Sequence, residues 1–348
     1  MTRRPGTIVL FGSGETSPEA QRVYDSVMRR IPPPIRVCVL ETPAGFEPNS
    51  EQVAGRVADF LRVRLQNYHP DVRVIPARRR GSAHSPDDPE VVAPMLEANF
   101  LMMGPGSPSY AVRQLGGSRA WNTLIARHRL GNLLVLASAA TVAASAFALP
   151  VYEIYKVGED LHWKNGLDLL GPYGPRIAFL PHWNNGDGGD DLDTSRCFMG
   201  VARFQQLHAM LPSDAVVVGI DEHTALIVDF ERDTCEVIGH GAVTWMRGDV
   251  ERRYDHGDTF SLLQLGLTRR PEPNQGVPEN VWEEALDADS RVNPPHQPDA
   301  DVLNLVEARA RARAIRDWAN ADRLREEITR RGWQVNDGHD GTQLIPIE

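Results

Sequence analysis

The chain has 348 residues, 41% of them apolar, and a formal net charge of −10. That length and apolar share point to one large α/β domain with a small appendage. The negative balance speaks against non-specific nucleic-acid binding by the whole chain, while leaving room for a local basic patch.

The basic start, MTRRPGTIVLF, holds only the short apolar run Ile8–Phe11. This is too short for the apolar core of a signal peptide and reads as a first strand. A helix is expected from about Pro18 to Arg30, then a break at Pro32-Pro33-Pro34 and a second strand, Arg36–Leu40. ETPAGFEPNS leads into a helical pattern through Val53, Val57, Phe60 and Leu61, and Val72–Ile75 reads as a third strand. After the loop RRRGSAHSPDDP, a short helix is expected near Pro89–Ala98, then the run Phe100–Met103, the turn GPGSPSY, one helix to about Arg129, and the run Leu133–Ala137 ending at Ser138. Strand alternating with helix at this pitch predicts a parallel sheet covered on both faces. Beyond Pro150, Arg176–Leu180, Val216–Ile220 and Ala225–Asp229 read as strands, a helix spans about Ser195–Met210, and Cys235–Ile238 and Ala242–Trp245 suggest edge hairpins. Residues 269–300 are rich in Pro, Asn and Asp and read as a linker. One long helix is expected from Asp301 to Arg330, stopped by Gly332. No apolar run nears the roughly 18 residues a membrane-spanning helix needs. Cys38, Cys197 and Cys235 show neither metal nor disulfide spacing, which fits a reduced, cytoplasmic protein.

In such folds ligands bind outside the carboxyl ends of the strands. Six polar or glycine-rich points fall there: Gly12–Glu15, Glu41–Gly45, Gly104–Ser107, Ser138, His182 and Asp221-Glu222. Ser138 lies between a strand and a run of alanines, as a nucleophile on a tight turn requires. Leu136 and Ala140 nonetheless stand where G-x-S-x-G has glycines, so on this stretch alone a helix-capping serine is the commoner reading. A serine, a histidine and a carboxylate at successive strand ends can build a triad, and GPGS offers backbone N–H groups at a helix start.

Together GSGE, MGPGS, the SAA turn, GLDLL (Gly166–Leu170), PH and GIDEHTALIV (Gly219–Val228) resemble the cyanophycinase and dipeptidase E family of serine peptidases, over residues 5–250. The resemblance implies a flavodoxin-like, doubly wound, mostly parallel sheet of the class I glutamine amidotransferase type. It implies Ser138 as nucleophile, His182 as base and Glu222 as the acid of a triad, with the N–H groups of Gly106 and Ala139 as oxyanion hole. It implies hydrolysis of a peptide or amide bond in a small substrate without a cofactor, and by analogy alone a homodimer. Glu15, Ser107, Arg196 and Asp221 are the expected substrate contacts. Pro105 departs from the family's glycine and removes one donor. The competing reading is a non-catalytic protein of the same fold that binds a ligand or tRNA.

Three features stay open. The insert NNGDGGDDLD, with Asp187, Asp190, Asp191 and Asp193, reads as a solvated loop, with a hard-cation site or an acidic rim for cationic substrates as alternatives; no metal site is assigned, and Arg196 and Arg203 are available to pair with it. GSGETS lacks the third glycine of a dinucleotide site. Val151–Trp163, with Tyr152, Glu153, Lys156 and His162, either lines the pocket or forms an amphipathic edge.

Residues 307–331 carry eight Arg against five Asp or Glu. Arg316, Asp317, Trp318, Ala319, Ala321, Asp322, Leu324 and Arg325, followed by Gly332, Val335, Asp337, Gly341 and Thr342, resemble the small C-terminal module of cysteinyl-tRNA synthetases. Either these arginines touch RNA phosphates, or the helix packs against protein with its charges paired or solvated; the second is the commoner use of such a run. No synthetase catalytic motif lies upstream.

Overall fold

The computed structural model describes residues 4–292, 298–338 and 341–347. Residues 1–3 of the basic start and 293–297 of the expected linker lie outside the described residues. The chain forms two compact units, Met1–Asp289 and Ser290–Glu348.

The first unit opens with the expected alternation. Its strands are β1 (Ile8–Phe11), β2 (Arg36–Leu40), β3 (Asp71–Ile75), β4 (Phe100–Met103) and β5 (Leu133–Ala137); its helices are α1 (Ala20–Met28), α2 (Ser50–Arg64), α3 (Pro89–Glu97), α4 (Pro108–Leu115) and α5 (Arg119–Arg129). The single helix expected before Arg129 is therefore two. Gly117 takes φ 70° between them, and Ser118 caps α5 by accepting from the Trp121 N–H. There follow α6 (Ala139–Ala143), β6 (Phe147–Ala148), β7 (Lys164–Asn165), β8 (Ile177–Leu180), α7 (Gly200–Ala209), β9 (Val216–Ile220), β10 (Thr224–Asp229), β11 (Thr234–Gly239), β12 (Val243–Arg247), β13 (Val250–Tyr254), β14 (Thr259–Ser261), α8 (Leu262–Leu265) and α9 (Glu279–Val292).

The main sheet has the order β14-β11-β10-β1-β5-β4-β2-β3. The five strands from β1 to β3 in that order are parallel, and β10, β11 and β14 extend it antiparallel past β1. Side chains alternate between its faces. Ile8, Leu10, Leu134 and Leu136 join Val92, Met95, Trp121 and Leu124 of α3 and α5; Val9, Phe11, Val135 and Ala137 join α1 and α2 through Val23, Val27, Val57 and Leu61. Both faces are buried, so the strands read as continuous apolar runs.

β8 and β9 do not continue this sheet. They form a second one, β13-β12-β9-β8, with β8 and β9 parallel and the rest antiparallel. The polar loops expected along one sheet edge are thus split between two sheets that meet at β1. Gly12 allows the contact: a Cβ there would lie 2.1 Å from the Asp221 carbonyl oxygen. Within the second sheet, Gly219 of β9 leaves room for the Trp183 ring that follows β8, 2.3 Å from where its Cβ would stand.

The stretch 269–300, expected as a linker, carries α9. Val281 and Ala285 of α9 pack on Ala126 and Leu130, and Asp289 accepts from the fully buried Arg127 at 3.1 Å. The helical spacing of these small apolar residues outweighs the Pro- and Asn-rich flanks.

The second unit is built from α10 (Ala300–Ala314), α11 (Trp318–Arg330) and the hairpin β15 (Trp333–Gly338) with β16 (Gly341–Pro346). The one long helix expected here breaks at Arg316, which takes φ 62°, and Asp317 restarts the chain by accepting from the Asn320 N–H. Val302, Ile328, Trp333 and Val335 form its core. Arg309, almost wholly buried, donates through both terminal nitrogens to Asp337, at 3.0 and 2.7 Å, and Arg313 reaches the same carboxylate. These guanidiniums hold the Asp337 carboxyl well below its ordinary value of 3.8.

A depressed folded value means that the pair stabilises the unit above the ordinary carboxyl pKa and loses that contribution as pH falls through the folded one. Asp337→Asn leaves Arg309 buried without its partner, at a cost of about 2 kcal/mol once the partial exposure of Asp337 is discounted. Hydrogen exchange at neutral pH should show residues 300–337 losing about tenfold or more in protection; the difference from wild type should shrink below pH 3.8.

Candidate active site

β5 runs into Ser138, which turns the chain into α6 with φ 50° and ψ −113°. Such a backbone costs about 1–3 kcal/mol for a residue with a Cβ. Small neighbours on the helix side make room for it. Ala140 is fully buried in the core beside Leu136, so the tight turn forms without the two glycines of the usual pattern. The Ser138 N–H and the Thr141 hydroxyl both donate to the Phe11 carbonyl, at 3.4 and 3.1 Å.

His182 follows β8 and also takes a left-handed backbone, φ 53°, with its N–H donating to the Gly12 carbonyl at 3.2 Å. The Ser138 Oγ lies 2.9 Å from His182 Nε2, and His182 Nδ1 lies 2.7 Å from Glu222 Oε1. The imidazole holds the Glu222 carboxyl below its ordinary value, with the Asn185 amide adding to the effect. An ionised Glu222 accepts the Nδ1 proton, which leaves Nε2 to accept from the serine hydroxyl. Three residues distant in sequence are thereby linked in one relay.

Beside the relay lies a cavity of 480 Å³ whose lining includes Ser138, His182, Gly106 and Ala139. Among the described residues neither the Gly106 nor the Ala139 N–H donates to a backbone acceptor. Gly106 takes φ 148°, and a Cβ there would lie 2.0 Å from the Pro43 carbonyl oxygen. The far side of the cavity is formed by Tyr152, Tyr155 and Lys156 from the segment after Pro150, with Cys197 and Phe198. Burial pushes the Cys197 thiol up to about 12, which keeps it in the unreactive thiol form near neutral pH.

Other expected contacts sit elsewhere. The Ser107 hydroxyl accepts from the Tyr110 N–H and caps α4. Asp221 is buried and accepts from the Ala242 N–H at 2.9 Å. Arg196 lies over the Trp183 ring, 4.1 Å from its centroid, and donates to the Trp183 carbonyl. Glu15 is buried behind the relay, where burial raises its carboxyl pKa. None of the four is among the residues lining the cavity. Arg203 donates to the Phe198 and Met199 carbonyls rather than to the acidic insert. Asp193 is occupied by Ser195 and the Val201 N–H. Among the described residues no three His, Cys, Asp or Glu gather as metal ligands, and no helix is long and apolar enough to cross a membrane.

Most of the insert is exposed, as a solvated loop should be, but its first two residues reach the relay. Asn184 Oδ1 accepts from the Glu222 N–H at 2.7 Å, and Asn185, itself buried, donates to Glu222 Oε1 at 3.0 Å. Their signal in the sequence is two adjacent amides close after a strand-end histidine. Arg196, Cys197 and Phe198 are three consecutive left-handed residues at φ 57°, 58° and 68°, a turn with no local signal, and they bring Phe198 to 5.5 Å from the imidazole. These residues displace the expected start of α7 from Ser195 to Gly200.

The fold is that of a solved peptidase from an acI-B1 actinobacterium, with a TM-score of 0.59 and 21% identity, covering 75% of this chain and 98% of that one. Residues 297–344 match the cysteinyl-tRNA ligase anticodon binding domain family. The same region is 52% identical over 44 residues to cysteine–tRNA ligase 1 of Burkholderia lata, 13% of this chain and 9% of that protein. It is 47% identical over 55 residues to the cysteine–tRNA ligase of Chlamydia trachomatis, 15% of this chain and 12% of that protein. The chain therefore spans about a tenth of the length of these curated relatives. Both parts of the resemblance read from the sequence are supported: a peptidase-type α/β fold, and a C-terminal region similar to that of cysteinyl-tRNA ligases.

Because the His182 hydrogen bond is the largest cause lowering the Glu222 carboxyl, while burial opposes it, His182→Ala should raise the Glu222 titration midpoint. Carbon-detected NMR titration of that carboxyl reads the shift. An unmoved midpoint would show that the two side chains are not engaged in solution.

Proposed function

We propose that the chain is a serine hydrolase that cleaves a peptide or amide bond in a small substrate. The observation that carries this is the relay, with 2.9 Å from Ser138 Oγ to His182 Nε2 and 2.7 Å from His182 Nδ1 to Glu222 Oε1. Ser138 attacks the substrate carbonyl as His182 takes its proton, and Glu222 holds the ring and stabilises the imidazolium. The N–H groups of Gly106 and Ala139 face the developing oxyanion. The leaving amine takes the proton back from His182, and water then repeats the sequence on the acyl-enzyme. The cavity's two tyrosines and Lys156 make a polar, aromatic wall suited to a short substrate.

The second unit supports a separate partner, tRNA. Beside its family match, it exposes Trp318 and Ile315 at the break between α10 and α11, with Arg311, Arg316 and Arg325 making no ion pair among the described residues. An exposed aromatic ring flanked by free guanidiniums suits an unstacked base and its phosphates.

A fluorophosphonate probe should label the wild type on Ser138 and leave Ser138→Ala unlabelled, and His182→Ala should slow labelling by about 10³-fold or more. Equal labelling of Ser138→Ala would end the hydrolase reading. For the partner, Trp318→Ala should weaken tRNA binding about tenfold in filter assays, and Arg316→Ala should reduce the slope of log affinity against log salt by about one. Unchanged affinity in both variants would remove tRNA as a ligand of this unit.

A further inference from the structure

A second cavity of 350 Å³ lies on α4 and the loop after β2, lined by Gly45, Phe46, Arg79, Tyr110, Arg113 and Gln114. Its chemistry is one-sided. In the run Arg78-Arg79-Arg80, Arg78 is spent on Glu41 at 2.6 Å and Arg80 on Asp87 at 3.2 Å. Arg79 makes no ion pair among the described residues, and neither does Arg113, whose guanidinium carbon sits 5.1 Å from the Tyr110 ring centroid. The Gln114 oxygen accepts from the Arg80 N–H at 2.8 Å, and its NH₂ group makes none of the hydrogen bonds found among the described residues, so it is left to donate. The floor is aromatic: Phe46 is 49% exposed and its ring lies 5.3 Å from that of Tyr110. Two free guanidiniums in a chain of net charge −10, set around an exposed ring, call for an anion joined to a planar group.

Two segments connect this cavity to the loop at Gly106. α4 begins at Pro108, which lines the cavity beside Ser138, and reaches Arg113 after about 8 Å of helix rise. On the other side the Pro43 carbonyl, two residues before Gly45, accepts from the Ser107 N–H at 2.8 Å and lies against Gly106.

We propose that Arg79, Arg113 and the Phe46–Tyr110 floor form a nucleotide subsite beside the serine centre, so that the substrate is an acyl group carried on a ribose hydroxyl of a nucleoside phosphate. The similarity of residues 297–344 to a tRNA-binding domain is an independent observation in the same chain that favours a nucleotide over an acidic peptide. The base stacks on Phe46, the guanidiniums hold the phosphate, and the acylated ribose bridges to Gly106 and Ser138. Ser138 Oγ forms a bond to the acyl carbon, and the ribose oxygen leaves with the proton from His182. Water then cleaves the acyl-enzyme, giving a carboxylic acid and restoring the serine. This inference rests on the hydrolase reading.

The test uses the full chain with three substrates bearing one acyl group: 2′(3′)-O-acyl-AMP, 2′(3′)-O-acyl-adenosine and the p-nitrophenyl ester. Acyl-AMP should be cleaved about tenfold or more better in kcat/KM than acyl-adenosine. Arg79→Ala and Arg113→Ala should each remove most of that advantage through KM while p-nitrophenyl ester hydrolysis stays the same. Equal rates on acyl-AMP and acyl-adenosine would overturn the subsite while leaving the hydrolase intact; an active Ser138→Ala would overturn the hydrolase instead. Calorimetry on Ser138→Ala supplies a readout free of turnover. AMP should bind, and Arg113→Ala should weaken it about tenfold or more; no AMP binding, or tighter binding of a short acidic peptide, contradicts the subsite. Charged tRNA against acyl-AMP as substrate separates an RNA 3′ end from a free nucleotide as the carrier.

Discussion

Two backbone carbonyls at the end of β1 hold the candidate active site together. The Phe11 carbonyl accepts from the Ser138 N–H and the Thr141 hydroxyl, and the Gly12 carbonyl accepts from the His182 N–H. The Gly12 N–H in turn donates to the Thr224 carbonyl, two residues past Glu222, at 2.9 Å, and only a residue without a Cβ lets the Asp221 carbonyl come so close. One dipeptide thus sets the positions of Ser138, His182 and Glu222, each of which sits at a different strand end. Main-chain anchoring of this kind gives a tighter tolerance than side-chain packing alone, and a relay needs that tolerance because it works only within hydrogen-bond reach.

The same constraint explains where strain is stored. Ser138, His182, Arg196, Cys197, Phe198 and His223 all take positive φ, and all lie at or beside the relay. Each conformation carries a local cost of about 1–3 kcal/mol. The large core around the main sheet and the contacts from Asn184 and Asn185 to Glu222 offset it. The GSGE turn, which lacks the third glycine of a dinucleotide site, serves here as this anchor.

Much of this was readable from residue order. Runs such as Ile8–Phe11 and Leu133–Ala137 are apolar without alternation because both sheet faces are covered, and each stops abruptly, at Gly12 in the first and at Ser138 in the second, so Ser138, His182 and Glu222 could be placed at or near strand ends. Less was readable where tertiary contact overrides local preference. Nothing in Arg196-Cys197-Phe198 favours a left-handed turn, and no local signal moves β8 and β9 out of the main sheet, since a buried strand looks the same in either. Asn184 and Asn185 were hidden by the acidic, glycine-rich residues that follow, and α9 by the Pro- and Asn-rich flanks around its apolar stripe.

The central claim is that Ser138, its histidine and two backbone N–H groups act on one carbonyl. A crystal structure with a boronic acid inhibitor tests this most directly. The account predicts a bond from boron to Ser138 Oγ, one boronate oxygen about 3 Å from the N–H groups of Gly106 and Ala139, and His182 Nε2 still facing the adduct. A boronate bound elsewhere, or bound to Ser138 with its oxygens turned away from both N–H groups, would contradict it.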